Sequence, residues 1–245
     1  MNIKLLSLVI PAHKQEKTIT KNIKSLDKIL SSLPYKYELI IVVDGDTDGT
    51  YKKVKSLENR KIRVINLERN QGKGYAVRLG MMKAKGDVIG FIDAGMDINP
   101  VGISLLLNIM QFNNADIVIG SKLHPESKVK YPPIRRILSW GYRTLTATFF
   151  DLNVTDTQVG LKFFKRKVVK EVFPKLLIKK FAFDVEILAV AKARGFNRIF
   201  EGPVRLDFSS VSAITPTTFW KVILHMLWDT LAVFYRLKIL HYYDK

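Results

Sequence analysis

Val88-Ile89-Gly90-Phe91-Ile92-Asp93-Ala94-Gly95-Met96-Asp97 is an apolar run that ends abruptly in acids and glycine. Five uninterrupted apolar or small residues read as a strand buried on both faces, the pattern of a parallel sheet. In such sheets ligands gather beyond the carboxyl ends of the strands, where Asp93 and Asp97 fall. Carboxylates at that place suit a hard divalent cation and the phosphates it would carry. Asp and Gly are also ordinary turn residues, so the segment alone leaves a solvated turn open.

The flanking sequence extends the strand pattern in both directions. Residues 5–10, 38–43, 62–67 and 115–119 are further short β-rich runs, and helix-like stretches lie near 16–32, 50–58, 74–84 and 101–113. Alternation of this kind predicts an α/β fold: a Rossmann-like, mostly parallel sheet flanked by helices, with right-handed crossovers. Three strand ends carry polar loops, at 11–16, 44–50 and 93–97, and a parallel sheet brings them to one edge. A fourth loop, Asn70-Gln71-Gly72-Lys73-Gly74, opens a helix. Its glycines permit close backbone approach, and Lys73 is placed to meet a phosphate near the helix N-terminus. The spacing is not that of a P-loop, and a plain turn fits these residues equally.

The 245 residues suffice for one substantial domain with a proper core, or for two small ones. Cysteine is absent, which excludes disulfides and thiolate metal sites. The apolar start is too short for a secretory signal and reads as a first strand. The net charge of +18 favours a polyanionic partner: nucleic acid, an anionic membrane surface or a phosphorylated substrate. From Lys122 onward the basic residues alternate with Trp, Tyr, Phe and Leu, a mixture suited to a lipid interface. Simple solubilising charge explains the same excess.

After residue 120 the character changes. Pro132-Pro133 precedes a stretch to Phe150 that holds Arg135, Arg136, Trp140, Tyr142 and Arg143, the pattern of an amphipathic helix with a basic face. Arg136 and Arg143, seven apart, share a helical face, whereas Arg135 is rotated away. A second helix is expected over 218–240, with a wide apolar surface and Lys221, His225, Asp229 and Arg236 along one narrow stripe. No uncharged run reaches the ~18 residues a transmembrane helix needs. The second helix is therefore expected to lie on a membrane or to pack on the protein.

The ordered set Ser7-Leu-Val-Ile-Pro-Ala12, the 44–50 loop, Asn70-Gln-Gly-Lys-Gly74 and Phe91-Ile-Asp-Ala94 resembles the family 2 glycosyltransferases of GT-A fold. Asp156-Thr-Gln-Val-Gly-Leu-Lys-Phe-Phe164 and Phe181-Ala-Phe-Asp-Val-Glu-Ile-Leu188 are similar to segments of dolichyl-phosphate glucosyltransferases and polyprenyl-phosphate mannosyltransferases, with a lean to the glucosyl branch. The resemblance spans residues 5 to 210. It departs from the pattern at Val43, where the first of two adjacent acids usually stands, and at Gly95, where the usual Asp-x-Asp has its second acid. The Gly-Ser-Lys element of the family is only echoed at Phe208-Ser-Ser-Val-Ser212.

The resemblance implies a catalytic domain over 1–212, divided into a nucleotide-sugar half (1–120) and an acceptor half (121–212), with an amphipathic, interfacial helical segment over 213–245. It implies that Pro11, Ala12, Glu16, Asp44, Asp46, Gly72, Lys73, Asp93, Ala94 and Gln158 receive the donor. Asp93, with Asp97 in place of the missing acid, would bind Mg2+ or Mn2+. Asp184, Glu186 and Asp156 would complete the catalytic set by orienting donor or acceptor, while helix caps and surface charge pairs remain alternatives for these acids. Lys122, Arg135, Arg136 and Arg143 are the candidates for the acceptor phosphate, since guanidinium groups match phosphate oxygens in a bidentate manner.

The implied reaction is inverting transfer of a hexose, expected to be glucose from UDP-glucose, to dolichyl or polyprenyl phosphate. The implied place is the cytoplasmic face of a membrane, bound peripherally, with a homo-oligomer or a membrane-protein partner open. GDP-mannose as donor and a saccharide as acceptor are the nearest alternatives. A nucleotidyltransferase lacks its Gly-rich, Arg-Lys signature here, and no zinc-ligand, RNP-like or basic-zipper pattern supports nucleic-acid binding. A catalytically silent membrane-bound scaffold is kept open by Gly95.

Overall fold

The computed structural model describes residues 1–127, 133–206 and 216–244, of which 133–139 and 216–220 are described by backbone alone. Seven strands form one sheet: β1 (Leu5–Ala12), β2 (Lys36–Asp44), β3 (Ile62–Leu67), β4 (Val88–Ile92), β5 (Ile117–Ser121), β6 (Leu161–Lys165) and β7 (Ile199–Pro203). Their order is β3-β2-β1-β4-β6-β5-β7. All pairings are parallel except the two made by β6, which runs antiparallel between β4 and β5 with Lys162 opposite Phe91.

Period-two alternation sorts the strand residues between two cores. Val9, Ile40, Val42, Ile89 and Phe91 face one; Leu8, Ile10, Ile41, Val43 and Ile92 face the other. The second core is covered by α1 (Ile19–Ser31), α2 (Thr50–Lys55) and α4 (Gly102–Phe112), through Ile23, Leu26, Val54, Leu106 and Met110. The first is covered by α3 (Lys73–Lys83), α6 (Arg166–Val172) and α7 (Phe183–Ala193). It also takes the ends of α5 (Pro133–Phe150) and α8 (Pro216–Lys238). Each fully buried aliphatic or aromatic side chain contributes about 1.5–3 kcal/mol by leaving water.

β3 and β4 coincide with their expected limits, and the other three expected strands shift by no more than two residues at either end. The α/β class and parallel core follow the sequence reading. The inserted β6 was not expected as a strand. The boundary placed between 212 and 213, and the Phe208–Ser212 echo, lie outside the described residues. So do the side chains of Arg135 and Arg136, although both belong to α5.

Candidate active site

The carboxyl ends of β1, β2 and β4 open into one cavity of about 590 Å3, which supports the expected convergence of loops. Pro11 and Ala12 end β1, Asp44 ends β2, Gly72 and Lys73 start α3, and Asp93, Ala94 and Asp97 follow β4; all line the cavity. Glu16 and Asp46 do not. Asp46 accepts the Gly49 N–H at 3.1 Å and so closes its own turn. Glu16 lies behind that turn, its carboxylate about 3.4 Å from where a Gly49 Cβ would stand.

Asp44 ties two loops together. Its two carboxylate oxygens accept the N–H groups of Gln71 and Gly72 at 2.6 and 2.8 Å, and its carbonyl lies 2.8 Å from His13 Nδ1. Gly72 has φ of 100°, and a Cβ there would stand 2.4 Å from the Lys179 carbonyl oxygen. Only glycine fits that approach. The same carbonyl accepts the Gly74 N–H at 2.8 Å, which fixes the start of α3. Asp44 thus lines the cavity while its carboxylate holds the 70–74 loop in place.

Lys73 reaches from α3 to Asp93, with Nζ 2.6 Å from Oδ1. Burial opposes its charge, but Asp93 and Asp184 outweigh it and raise the ammonium above the ordinary lysine range. Beneath this pair, Asp184 on α7 is almost fully buried and forms a close ion pair with the fully buried Lys162 of β6. Lys162 Nζ also donates to the Val159 carbonyl at 2.5 Å and sits over the Phe91 ring. Burial pushes the Asp184 carboxyl up and the Lys162 ammonium down. Gly160 makes room for Asp93, since a Cβ there would stand 2.0 Å from Asp93 Oδ2.

Two expected site acids take other places. Asp184 lies under the cavity floor and does not line it. Glu186 is fully buried; it accepts the N–H groups of Leu177 and Ile178 at 2.9 Å and the Tyr243 hydroxyl at 2.6 Å. Burial raises its pKa against those hydrogen bonds, and its carboxylate reaches neither cavity. Glu186, expected to orient substrate, here ties Tyr243 to the 177–178 segment.

A second, small cavity of about 60 Å3 gathers Lys122, Tyr142, Arg143, Asp156 and Gln158. Asp156 accepts the Lys122 and Gln158 N–H groups at 3.0 and 3.2 Å, and the Lys122 ammonium lies 3.8 Å away. Gln158 Nε2 is buried there without a hydrogen-bond partner among the described residues. Gln158, expected on the donor side, thus sits with Lys122 and Arg143, expected on the acceptor side. Tyr142 hydrogen-bonds Thr230 of α8 at 2.9 Å, and burial raises its hydroxyl to about 12.

His13, Lys180, His225 and Asp229 also line the larger cavity and were not among the expected site residues. The polar stripe of α8 was the signal for His225 and Asp229. Of that stripe His225 and Asp229 reach the cavity, where burial raises the Asp229 carboxyl.

Comparison with known proteins agrees with this geometry. The family model described as Glycosyl transferase family 2 matches residues 7–173. The chain is 32% identical to the dolichyl-phosphate beta-glucosyltransferase of Dictyostelium discoideum over 204 residues, 76% of this chain and 62% of that protein. It is 32% identical to the enzyme of the same description from Drosophila melanogaster over 247 residues, 91% of this chain and 74% of that one. The chain thus spans less than two thirds of the first relative's length. In fold it matches glucosyl-3-phosphoglycerate synthase from Mycobacterium tuberculosis, crystallised with Mn2+, UDP and phosphoglyceric acid. The TM-score is 0.71 at 19% identity, covering 95% of this chain and 78% of that one. The α/β sheet is therefore of the GT-A kind, and the chain belongs to glycosyl transferase family 2.

Proposed function

We propose that this chain moves glucose from UDP-glucose to dolichyl or another polyprenyl phosphate with inversion, as a peripheral protein of the cytoplasmic face of a membrane. The observation that carries this reading is a pair of cavities of different character. One is large enough for a nucleotide sugar, with Lys73 and Asp93 among its walls; the other is small and cationic, lined by Lys122 and Arg143. The relatives are described as dolichyl-phosphate beta-glucosyltransferases, which supports glucose as the sugar and dolichyl phosphate as the acceptor.

A divalent cation fits the donor set. Asp93 and Asp97 are hard oxygen donors on one cavity wall, and no cluster of three or more metal-ligating side chains exists among the described residues. One or two carboxylates completed by phosphate and water oxygens is the usual arrangement for Mg2+. Asp93 and Asp97 would hold the ion, which when bound supplies charge stabilisation at the diphosphate.

The chain's own residues do the rest. Lys73, charged throughout the neutral range, offers an ammonium to diphosphate oxygens at the start of α3. Lys122 and Arg143 grip the acceptor phosphate, and Gln158 Nε2 offers it a further donor. The acceptor is already anionic near neutral pH, so it attacks the anomeric carbon without a strong general base. This agrees with the absence of Asp184 and Glu186 from both cavity walls.

Purified protein is incubated with polyprenyl phosphate, Mn2+ and, in separate reactions, labelled UDP-glucose or GDP-mannose, then extracted into organic solvent. Label in the lipid phase from UDP-glucose is the expected result. Label there from GDP-mannose alone would replace the sugar, and label from neither would refute lipid-phosphate transfer.

A further inference from the structure

Residues 176–179, between α6 and α7, belong to no helix or strand and so have no backbone ladder of their own. The N–H groups of Leu177 and Ile178 go instead to the Glu186 carboxylate, at 2.9 Å each. The same short segment carries the Lys179 carbonyl, which accepts the Gly74 and Tyr75 N–H groups at 2.8 and 3.3 Å. Lys180 and Phe181, the next two residues, line the larger cavity.

The contact between this segment and α3 has no slack. A Cβ at Gly74 would stand 2.8 Å from both the Ile178 carbonyl oxygen and the Phe183 Cβ. Backbone packed this closely passes a shift on to its neighbour. The loop that presents Lys73 is thus gripped from two sides. Asp44 holds it through Gln71 and Gly72, and the 178–179 backbone holds it through Gly74 and Tyr75. The first grip comes from the sheet itself. The second is only as firm as whatever holds 177–179.

That hold is Glu186, fully buried on α7. A carboxylate persists in the interior only where its oxygens are satisfied. The third partner is Tyr243, whose hydroxyl donates to Oε1 at 2.6 Å. Tyr243 lies in a single 3-10 turn, Tyr242–Asp244, that follows α8, and it is itself fully buried. Arg194, just past α7, donates from Nη1 to the Tyr243 carbonyl at 3.1 Å and fixes that turn. Burial presses against the Glu186 charge, while Tyr243, the two amides and the charge of Arg236 on α8 favour it. Packing alone would be served by apolar groups at both positions. Hydrogen bonds to a carboxylate add direction and strength, and here they aim two amides of an otherwise unsupported segment.

We propose that Tyr243 and Glu186 are positioning residues for the donor site: through 177–179 they set the start of α3 and, with it, Lys73. Neither residue lines either cavity. The proposal rests on the nucleotide-sugar reading of the larger cavity and extends it to side chains that touch no substrate.

Three variants test it. Tyr243→Phe keeps the ring and deletes the hydroxyl, and Glu186→Gln keeps the shape but turns one acceptor into a donor. Met110→Ala opens a hole in the other core, under α4, and serves as the control for lost stability without lost positioning. The measurements are amide hydrogen exchange without ligand, UDP affinity by titration calorimetry without acceptor, and KM for each substrate. In Tyr243→Phe, exchange is expected to quicken at the Gly74, Tyr75, Leu177 and Ile178 amides while those of β1 and β4 keep their rates. UDP affinity should fall on the order of tenfold. KM for UDP-glucose should rise by a like factor, with KM for polyprenyl phosphate held within about twofold. Glu186→Gln should act in the same direction and more strongly. Met110→Ala should lower the melting temperature and leave UDP affinity and both KM values as they are. The proposal is overturned if the four amides exchange as in the native chain, or if they quicken while UDP affinity stays the same. It is overturned as well if Met110→Ala weakens UDP as much as Tyr243→Phe does. A native chain that binds no UDP sinks the donor reading and this proposal together, whereas unchanged amide rates in a chain that binds UDP sink the proposal alone.

Discussion

Replacing Lys162 with Met keeps the length and apolar stem of the side chain and deletes its charge. Lys162 is fully buried, and its ammonium partners are the Asp184 carboxylate and the Val159 carbonyl. The variant leaves Asp184 in the interior without its cation. Removing one member of a buried pair costs about 3–5 kcal/mol, because the remaining charge has lost its water and gained no partner. For a chain of this size that lowers the melting temperature by about 6–20 °C.

The cost is pH-dependent, with a definite sign. Burial already raises the Asp184 pKa, and losing Lys162 raises it further. The folded variant therefore holds a proton that the unfolded chain, near pKa ~3.9, has released. Stability is greatest below the unfolded value and falls as pH rises through the folded one, so the deficit against the native chain is smaller at pH 5 than at pH 8. Adding Asp184→Asn removes the stranded charge and should bring the deficit at pH 8 down to about 1–2 kcal/mol. Urea unfolding followed by circular dichroism at both pH values measures all of this. The reasoning is refuted if Lys162→Met lies within about 1 kcal/mol of the native chain at pH 8, or if the double variant is no more stable than the single one.

Gly160→Ala drives a methyl group into Asp93; turnover with saturating donor should fall on the order of a hundredfold with little change in melting, and unchanged turnover would show that the place of Asp93 does not matter. Gly95→Asp has room, its nearest neighbour being Asp97 Oδ1 at 3.9 Å from the added Cβ. It adds a hard oxygen donor, so titration calorimetry should show Mn2+ binding tightened about tenfold or more, and no gain would remove this wall from metal binding. Tyr142 is held protonated to about pH 12 in the folded chain against 10.0 unfolded, so its share of stability is complete below pH 10 and lost between 10 and 12. That share is at most about 3 kcal/mol. Tyr142→Phe should accordingly unfold less steeply over this interval in pH-jump denaturation, and a parallel profile would contradict the burial of the hydroxyl.

Most of the strand framework was legible because burial on both faces writes itself into local sequence. Val88–Ile92, buried at every position, is read residue by residue, and the partly buried edge strand Ile62–Leu67 keeps the same limits. Parallel pairing then brings the ends of β1, β2 and β4 together, so Pro11, Asp44, Lys73 and Asp93 fall on one cavity as a consequence of topology alone. β6 was hidden by Lys162, a charge in mid-strand that no local rule permits. It is admissible only because α7 sets Asp184 beside it, twenty-two residues on.

What the chain determines by itself is the alternation, the apolar faces and the residue types at each loop, all set by neighbours within a few turns. What only tertiary structure decided is where the charges of the second half go. Glu186 looked like a site acid until Tyr243 and the Leu177 and Ile178 amides were seen to occupy it. For the second expected helix the sequence leaves open lying on a membrane or packing on the protein; α8 sets His225 and Asp229 on the cavity wall and leaves Leu224 and Trp228 exposed. Helical spacing defines faces, but which face is covered depends on contacts made across more than a hundred residues, and those are energies of packing that no local pattern contains.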